Sequence, residues 1–221
     1  MDKKFLITGD THGDLSLRRF LRAKEIGCDY FIVLGDFGYL WDNSMGEQMT
    51  LNYMAKMPYT ILWIDGNHDN FALLNNYPEV MWNGGKVHMI RENIIHLKRG
   101  EVFEIDNKKF FAFGGAKSID IEFRTLGVDY WEEELPSKEE MDNGLNNLKK
   151  HGFKVDYVLT HTCANDTLKL LIRNPMKDEL SDYLSDIKAK LSYKKWYFGH
   201  LHFDVELFNG EHCLYKNIEQ L

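Results

Sequence analysis

Apolar residues along this chain come in short uninterrupted runs, each closed by a glycine or polar residue and then by an acid or a histidine. Residues 4–8 lead into Gly9-Asp10-Thr11-His12-Gly13, residues 30–34 into Gly35-Asp36, and residues 60–64 into Asp65-Gly66-Asn67-His68-Asp69. Residues 155–159 end in Thr160-His161, and residues 196–198 in Gly199-His200-Leu201-His202. Runs rich in Ile, Val, Phe and Tyr with glycine at the end read as buried strands.

Between these runs the apolar spacing lengthens. Leu17, Phe20, Leu21 and Ile26 predict a helix over 15–26, and similar patterns predict helices over 46–57, 137–150 and 181–191. Ser137 opens the third as N-cap, with Glu140 three residues on. Alternation of strand and helix predicts α/β layering with parallel pairs in the first half. Residues 94–113 read instead as two or three antiparallel strands turning near Asp106-Asn107. Residues 203–216 read as a hairpin around Asn209-Gly210. The mixture points to two packed sheets with helices outside. No repeat, low-complexity tract or linker interrupts the pattern, so residues 1–221 read as one domain.

Composition narrows the function. With 44% hydrophobic and 28% charged residues, the chain is of ordinary globular type. Its 27 basic and 34 acidic residues give a net charge of −7, with no cluster of Lys and Arg. A broad surface for nucleic-acid phosphates is therefore not expected, although a locally held phosphate is compatible with it. Phe5-Leu6-Ile7 is too short for a membrane span or a signal-peptide core, so a cytoplasmic protein without membrane contact is expected. Cys28, Cys163 and Cys213 are too far apart for a thiolate knuckle and read as bland thiols. Any metal would need histidine and oxygen ligands.

Such ligands stand at the strand ends, where open α/β sheets collect their ligands. One Asp after a strand is ordinarily a turn former or helix cap, and one His ordinarily structural. Five such endings, three of them with His in glycine-flanked clusters, exceed what turn chemistry explains. The candidates are Asp10, His12, Asp36, Asn67, His161, His200 and His202. They are enough for two divalent ions if one carboxylate bridges. Nitrogen and oxygen donors without thiolate suit Mn, Fe, Zn or Ni better than Mg or Ca. If the backbone stays extended, the period of two turns Asp10 with His12, and His200 with His202, to one face.

These five blocks, in this order from residue 9 to 202, resemble those of the calcineurin-like metallophosphoesterase superfamily. The resemblance implies a four-layer sandwich of two mixed β-sheets flanked by α-helices. It also implies a metal-dependent phosphoesterase, cleaving a small phosphodiester or phosphomonoester by in-line attack of a hydroxide bridging two metal ions. Carried across, Asp10, His12 and His202 would hold one ion and Asn67, His161 and His200 the other, with Asp36 bridging. Mn²⁺ is the first expectation, with Fe, Zn or Ni as alternatives. His68 would stand beside the substrate as the proton-donating catalytic histidine. His88, His96, His151 and His212 lie outside the blocks and are left as non-ligands.

One block departs from the Ser/Thr protein phosphatase branch, whose pattern is Gly-Asp-x-x-Asp-Arg-Gly. Here Gly35-Asp36-Phe37-Gly38-Tyr39-Leu40-Trp41 lacks the second acid and the arginine, and looks closer to small bacterial or phage-type members. The glycine-led stretch 114–124 offers a substitute, with Arg124 gripping phosphate and Asp120 fixing its guanidinium. Trp41 and Trp131 are the aromatics expected to line a pocket. Two other readings compete: a non-catalytic scaffold of this type that binds a protein partner, and a nuclease. The complete ligand set with His68 favours an enzyme. The −7 balance weighs against long-range steering of a polyanion.

Overall fold

The computed structural model describes residues 2–221. Its elements in chain order are β1 (Phe5–Thr8), α1 (Arg18–Ile26), β2 (Tyr30–Leu34), α2 (Met45–Met54), β3 (Thr60–Ile64) and α3 (Phe71–Leu74). Next come β4 (Glu79–Trp82), β5 (Gly85–Arg91), β6 (Ile94–Leu97), β7 (Glu101–Ile105), β8 (Lys108–Phe113) and α4 (Lys138–Lys150). The last are β9 (Tyr157–Thr160), α5 (Asn165–Leu171), α6 (Glu179–Lys188), β10 (Lys195–Phe198), β11 (Val205–Glu206), β12 (Glu211–Cys213) and β13 (Ile218–Gln220).

Seven strands form one sheet in the order β13-β1-β2-β3-β6-β5-β4, and six form a second in the order β11-β12-β10-β9-β8-β7. The centre of each sheet is parallel: β1, β2, β3 and β6 in the first, β8, β9, β10 and β12 in the second. Antiparallel strands close the edges. The apolar runs lack alternation because both faces of each central strand are buried. Phe5, Ile7, Ile32, Leu34, Leu62 and Ile64 point inward, meeting Phe110, Ala112, Leu159 and Tyr197 of the second sheet. Their neighbours Leu6, Phe31, Val33, Ile61 and Trp63 point outward to Phe20 and Ala23 of α1 and Leu51 and Met54 of α2. On the far side Phe111, Val158, Trp196 and Phe198 pack with Leu148 of α4 and Leu180, Leu184 and Ile187 of α6. The result is two mixed sheets between helices.

Several expectations shift in detail. Residues 94–113 divide between the sheets: β6 pairs parallel with β3, and only β7 and β8 form a hairpin. Asp106 and Asn107 turn it with φ of 52° and 59°. The first helix starts at Arg18 rather than residue 15, because Leu17 is left-handed at φ 50°. Ser137 and Glu140 form the expected capping box. The hairpin over 203–216 is present as β11 and β12. Among the described residues, no helix is long and apolar enough to cross a membrane.

Candidate metal centre

All five predicted blocks follow strand ends on one edge of the sandwich. Asp10 and His12 follow β1, Asp36 follows β2, Asn67 and His68 follow β3, His161 follows β9, and His200 and His202 follow β10. The expectation that extended backbone aligns the paired residues is not met. His12, Asp36, His200 and His202 have φ of 46°, 46°, 65° and 56°. These are left-handed turns, disfavoured for residues with a Cβ and concentrated at functional sites. Each strand stops, and the turn after it throws the side chain inward.

The blocks fit against each other so tightly that glycine is required. A Cβ on Gly66 would lie 2.1 Å from Asp36 Oδ1, and one on Gly199 would lie 2.2 Å from Asp10 Oδ1. Asp10 Oδ1 accepts from the His200 backbone N–H at 3.0 Å, and Asp36 Oδ1 from that of His68 at 2.8 Å. The other oxygen of each carboxylate, Oδ2, is buried and has no well-aligned hydrogen bond among the described residues. Leaving such an oxygen bare is costly unless a cation faces it.

The surrounding side chains have the chemistry of such a cation site. One donor atom from each of Asp10, His12, Asp36 and His202 lies within 4.8 Å of the others. His202 Nε2 is 3.1 Å from Asp10 Oδ2, and His12 Nε2 is 3.6 Å from Asp36 Oδ2. His12 Nε2 and His202 Nε2 are 3.1 Å apart. The carboxylates and His161 are fully enclosed, whereas the side chains of His12 and His202 stay 36% and 49% exposed. Acids thus form a floor and imidazoles an open mouth.

His161, Asn67 and His200 gather on the other side of Asp36. His161 Nδ1 donates to the Leu34 carbonyl at 2.6 Å, which fixes the tautomer and leaves Nε2 facing the cluster. That Nε2 is 3.2 Å from Asn67 Oδ1 and 3.4 Å from Asp36 Oδ1, and the His200 ring lies 5.1 Å away. Asn67 turns its amide nitrogen outward to Ser118 Oγ at 3.0 Å, and Ser118 Oγ donates to Glu134. Burial opposes a charge on His161, but Asp36 and then Asp10 overcome it and raise its pKa to about 10. Burial, then the charge of His161, pushes His200 down to about 4. A proton on His161 here neutralises the buried acids, a task that a divalent ion would take over.

A family model for calcineurin-like phosphoesterases matches residues 3–204. The chain belongs to this family. The fold agrees: one solved structure has a TM-score of 0.57 at 14% identity, with 97% of this chain and 90% of that one covered. A second, TT1561 of Thermus thermophilus, has a TM-score of 0.53 at 11% identity, with 97% and 89% covered. No curated protein matches the chain.

His68 sits at the rim, its ring 5.6 Å from that of His12. Arg124 faces it, and Asp120 grips that guanidinium with two oxygens at 2.7 and 2.8 Å. Trp41 and Trp131 pack edge to face at 5.5 Å, and each lines a cavity, but neither cavity includes a predicted ligand. A cavity of about 740 Å³ lies one strand away beside His96 and Arg99. Metal-side residues open onto two others, of about 470 Å³ at Asp10 and His12 and about 310 Å³ at His200.

The sequence reading missed the supports. Ser118 lies on irregular chain and Glu134 closes a single 3-10 turn over Glu132–Glu134, neither with a periodic signal. Asp69 stands inside a quoted block; its carboxylate accepts from Gly66 N–H at 2.8 Å and Gly38 N–H at 3.3 Å, tying two blocks together. Burial, and then Asp36, raise its pKa to about 7.

Proposed function

We propose that this family member hydrolyses a small phosphoester, diester or monoester, with two divalent metal ions, Mn²⁺ foremost. The observation that carries this is the pair of buried carboxylate oxygens, Oδ2 of Asp10 and Oδ2 of Asp36, with imidazole nitrogens at 3.1 and 3.6 Å and no well-aligned hydrogen bond. Asp10, His12 and His202 would hold one ion, Asn67, His161 and His200 the other, and Asp36 would stand between. Bound ions supply positive charge against the phosphoryl oxygens and make a water acidic enough to attack near neutral pH.

The chain's own groups do the rest. Nitrogen and oxygen ligands with no thiolate favour Mn, Fe, Zn or Ni. Arg124 is held by Asp120 through Nε and Nη2 and by the Asp129 carbonyl through Nη1, and its two donors that now face the His68 ring would turn to two oxygens of a phosphate when substrate binds. His68 stands beside the cluster with Arg124 Nη1 2.9 Å from its Nδ1 and Nη2 3.3 Å from its Nε2, so the guanidinium faces the whole ring. From there His68 steadies the charge on the leaving oxygen. The left-handed turns hold His12, Asp36, His200 and His202 in place before substrate arrives, so little reorganisation of these side chains accompanies the reaction.

The test is hydrolysis of bis-p-nitrophenyl phosphate and of the matching monoester, with chelated protein before and after Mn²⁺ is added. Turnover restored by the metal is expected, and the ratio of the two rates assigns the ester class. No turnover of either ester by folded, metal-loaded protein would overturn the reading in favour of a binding scaffold.

A further inference from the structure

The 470 Å³ cavity beside Asp10 and His12 is walled by Arg18, Arg19, Tyr215 and Lys216. In a chain of net charge −7 this wall holds three cations, and none of them forms an ion pair among the described residues. Arg19 is committed to neutral acceptors: the carbonyls of Asp10 and Tyr215, Thr8 Oγ1 at 3.1 Å and the Gly9 carbonyl at 3.3 Å. Its hydrogen bonds are filled by neutral groups, and although the charges of Asp10 and Asp14 reach it, neither forms an ion pair with it among the described residues. Lys216 Nζ stands 5.2 Å over the Tyr215 ring. Arg18 is exposed, and its side chain makes no hydrogen bond or ion pair among the described residues. Asp14 also borders the cavity, but its carboxylate is occupied by Ser16 N–H at 2.9 Å and Ser16 Oγ at 2.7 Å.

The local helix adds to the imbalance. α1 begins at Arg18, with no side-chain cap and no acid in its first turn. Helix starts are positively polarised and favour acids, so two arginines there are unfavourable for the helix itself. An anion in the cavity would offset both charges. The cavity also shares its wall with the metal cluster, because the Tyr215 ring stacks on His202 at 4.6 Å and 14°.

We propose that this cavity is a second anion subsite, holding a phosphoryl group joined to the one at the metal cluster. The preferred substrate class is then an ester of a di- or oligophosphate. Arg18 and Lys216 supply mobile charged donors, and Arg19 anchors the wall. This assignment rests on the phosphoesterase reading for its meaning, but its test does not use turnover.

The test is equilibrium binding to Mn²⁺-loaded protein of methylenediphosphonate and methylphosphonate, neither of which is hydrolysed at a phosphoester bond. Metal content is checked after each titration. Wild type should bind the diphosphonate at least about tenfold more tightly, the scale of one charge-assisted hydrogen bond. The double variant Arg18→Gln/Lys216→Gln should lose about that factor for the diphosphonate and little for methylphosphonate. Lys24→Gln/Lys149→Gln, which removes two exposed cations elsewhere, should keep the preference and so excludes a net-charge effect. Equal binding of the two probes by wild type, or equal weakening of both in the first double variant, would overturn the subsite. Both substituted side chains are exposed, and matched melting temperatures verify the fold. A protein that cleaves no ester yet shows the preference refutes the enzyme reading alone. One that cleaves esters without the preference refutes the subsite alone.

Discussion

Arg124 lies against His68, with Nη1 2.9 Å from Nδ1 and Nη2 3.3 Å from Nε2. The second block of the sequence lacks an acid and an arginine, and this guanidinium arrives from a distant loop, pinned by Asp120. Arg124→Ala should lower kcat/KM for a phosphoester by about 10²-fold, the scale of losing one donor to developing charge. Arg124→Lys should recover little, because a point charge cannot make the paired contact. Steady-state kinetics on a nitrophenyl ester reads this directly, and an unchanged kcat/KM in Arg124→Ala would remove Arg124 from the site.

Gly66 and Gly46 make a contrasting pair. Gly66→Ala drives a methyl into Asp36 Oδ1, whereas the nearest atom to a Cβ at Gly46 in α2 is Ser44 Oγ at 3.9 Å. Gly66→Ala should lose metal binding and activity together. Gly46→Ala should keep both and stabilise the fold by up to about 1 kcal/mol. Denaturant melts with metal analysis separate the two, and normal metal content in Gly66→Ala would contradict the packing account.

Asp36→Asn isolates the charge. Asn tolerates the left-handed backbone that Asp36 adopts at φ 46°, so the substitution adds little strain. At a metal concentration that fills wild type, the variant should bind at least one ion fewer per chain. Its melting temperature should also respond less to added metal, which in wild type is worth about 2.7 kcal/mol at a hundred times Kd. Metal counting by atomic emission and thermal melts check both.

Acid should weaken the fold partly through His88. His88 is buried with its Nδ1 3.2 Å from His96 Nδ1, and Lys98, Glu79 and Asp65 complete its charged surroundings. Burial, then His96, pushes its pKa down to about 4. A histidine lowered in the fold stabilises it fully above its unfolded value of about 6.5, and that contribution is lost as pH falls from there through about 4. His88→Gln should therefore lose less stability than wild type between pH 7 and pH 4.5. Equal losses in urea melts would show that the titration lies elsewhere.

The strands and the seven clustered residues are legible in the sequence because each carries a local signal. A strand buried on both faces needs a solid apolar run, and a turn that throws a ligand inward needs glycine beside it. The backbone path is not legible in the same way, since extended and left-handed Asp-x-His look alike in sequence, and His12 shows its φ only once folded. β4 and β5 escape the apolar pattern although Asn83-Gly84 marks their turn, because Val80-Met81-Trp82 is short and leads to neither acid nor histidine, and Lys86 and His88 interrupt β5. Ser118, Glu134 and Arg19 make contacts that span 16 to 196 residues of chain, which no local pattern encodes.

The most direct measurement is a Mn²⁺ titration of chelated protein that counts bound ions and ester turnover in the same samples. Two ions per chain, with turnover rising as the second binds, is the expected result. Saturation at one ion with full turnover, or two ions with none, would contradict it.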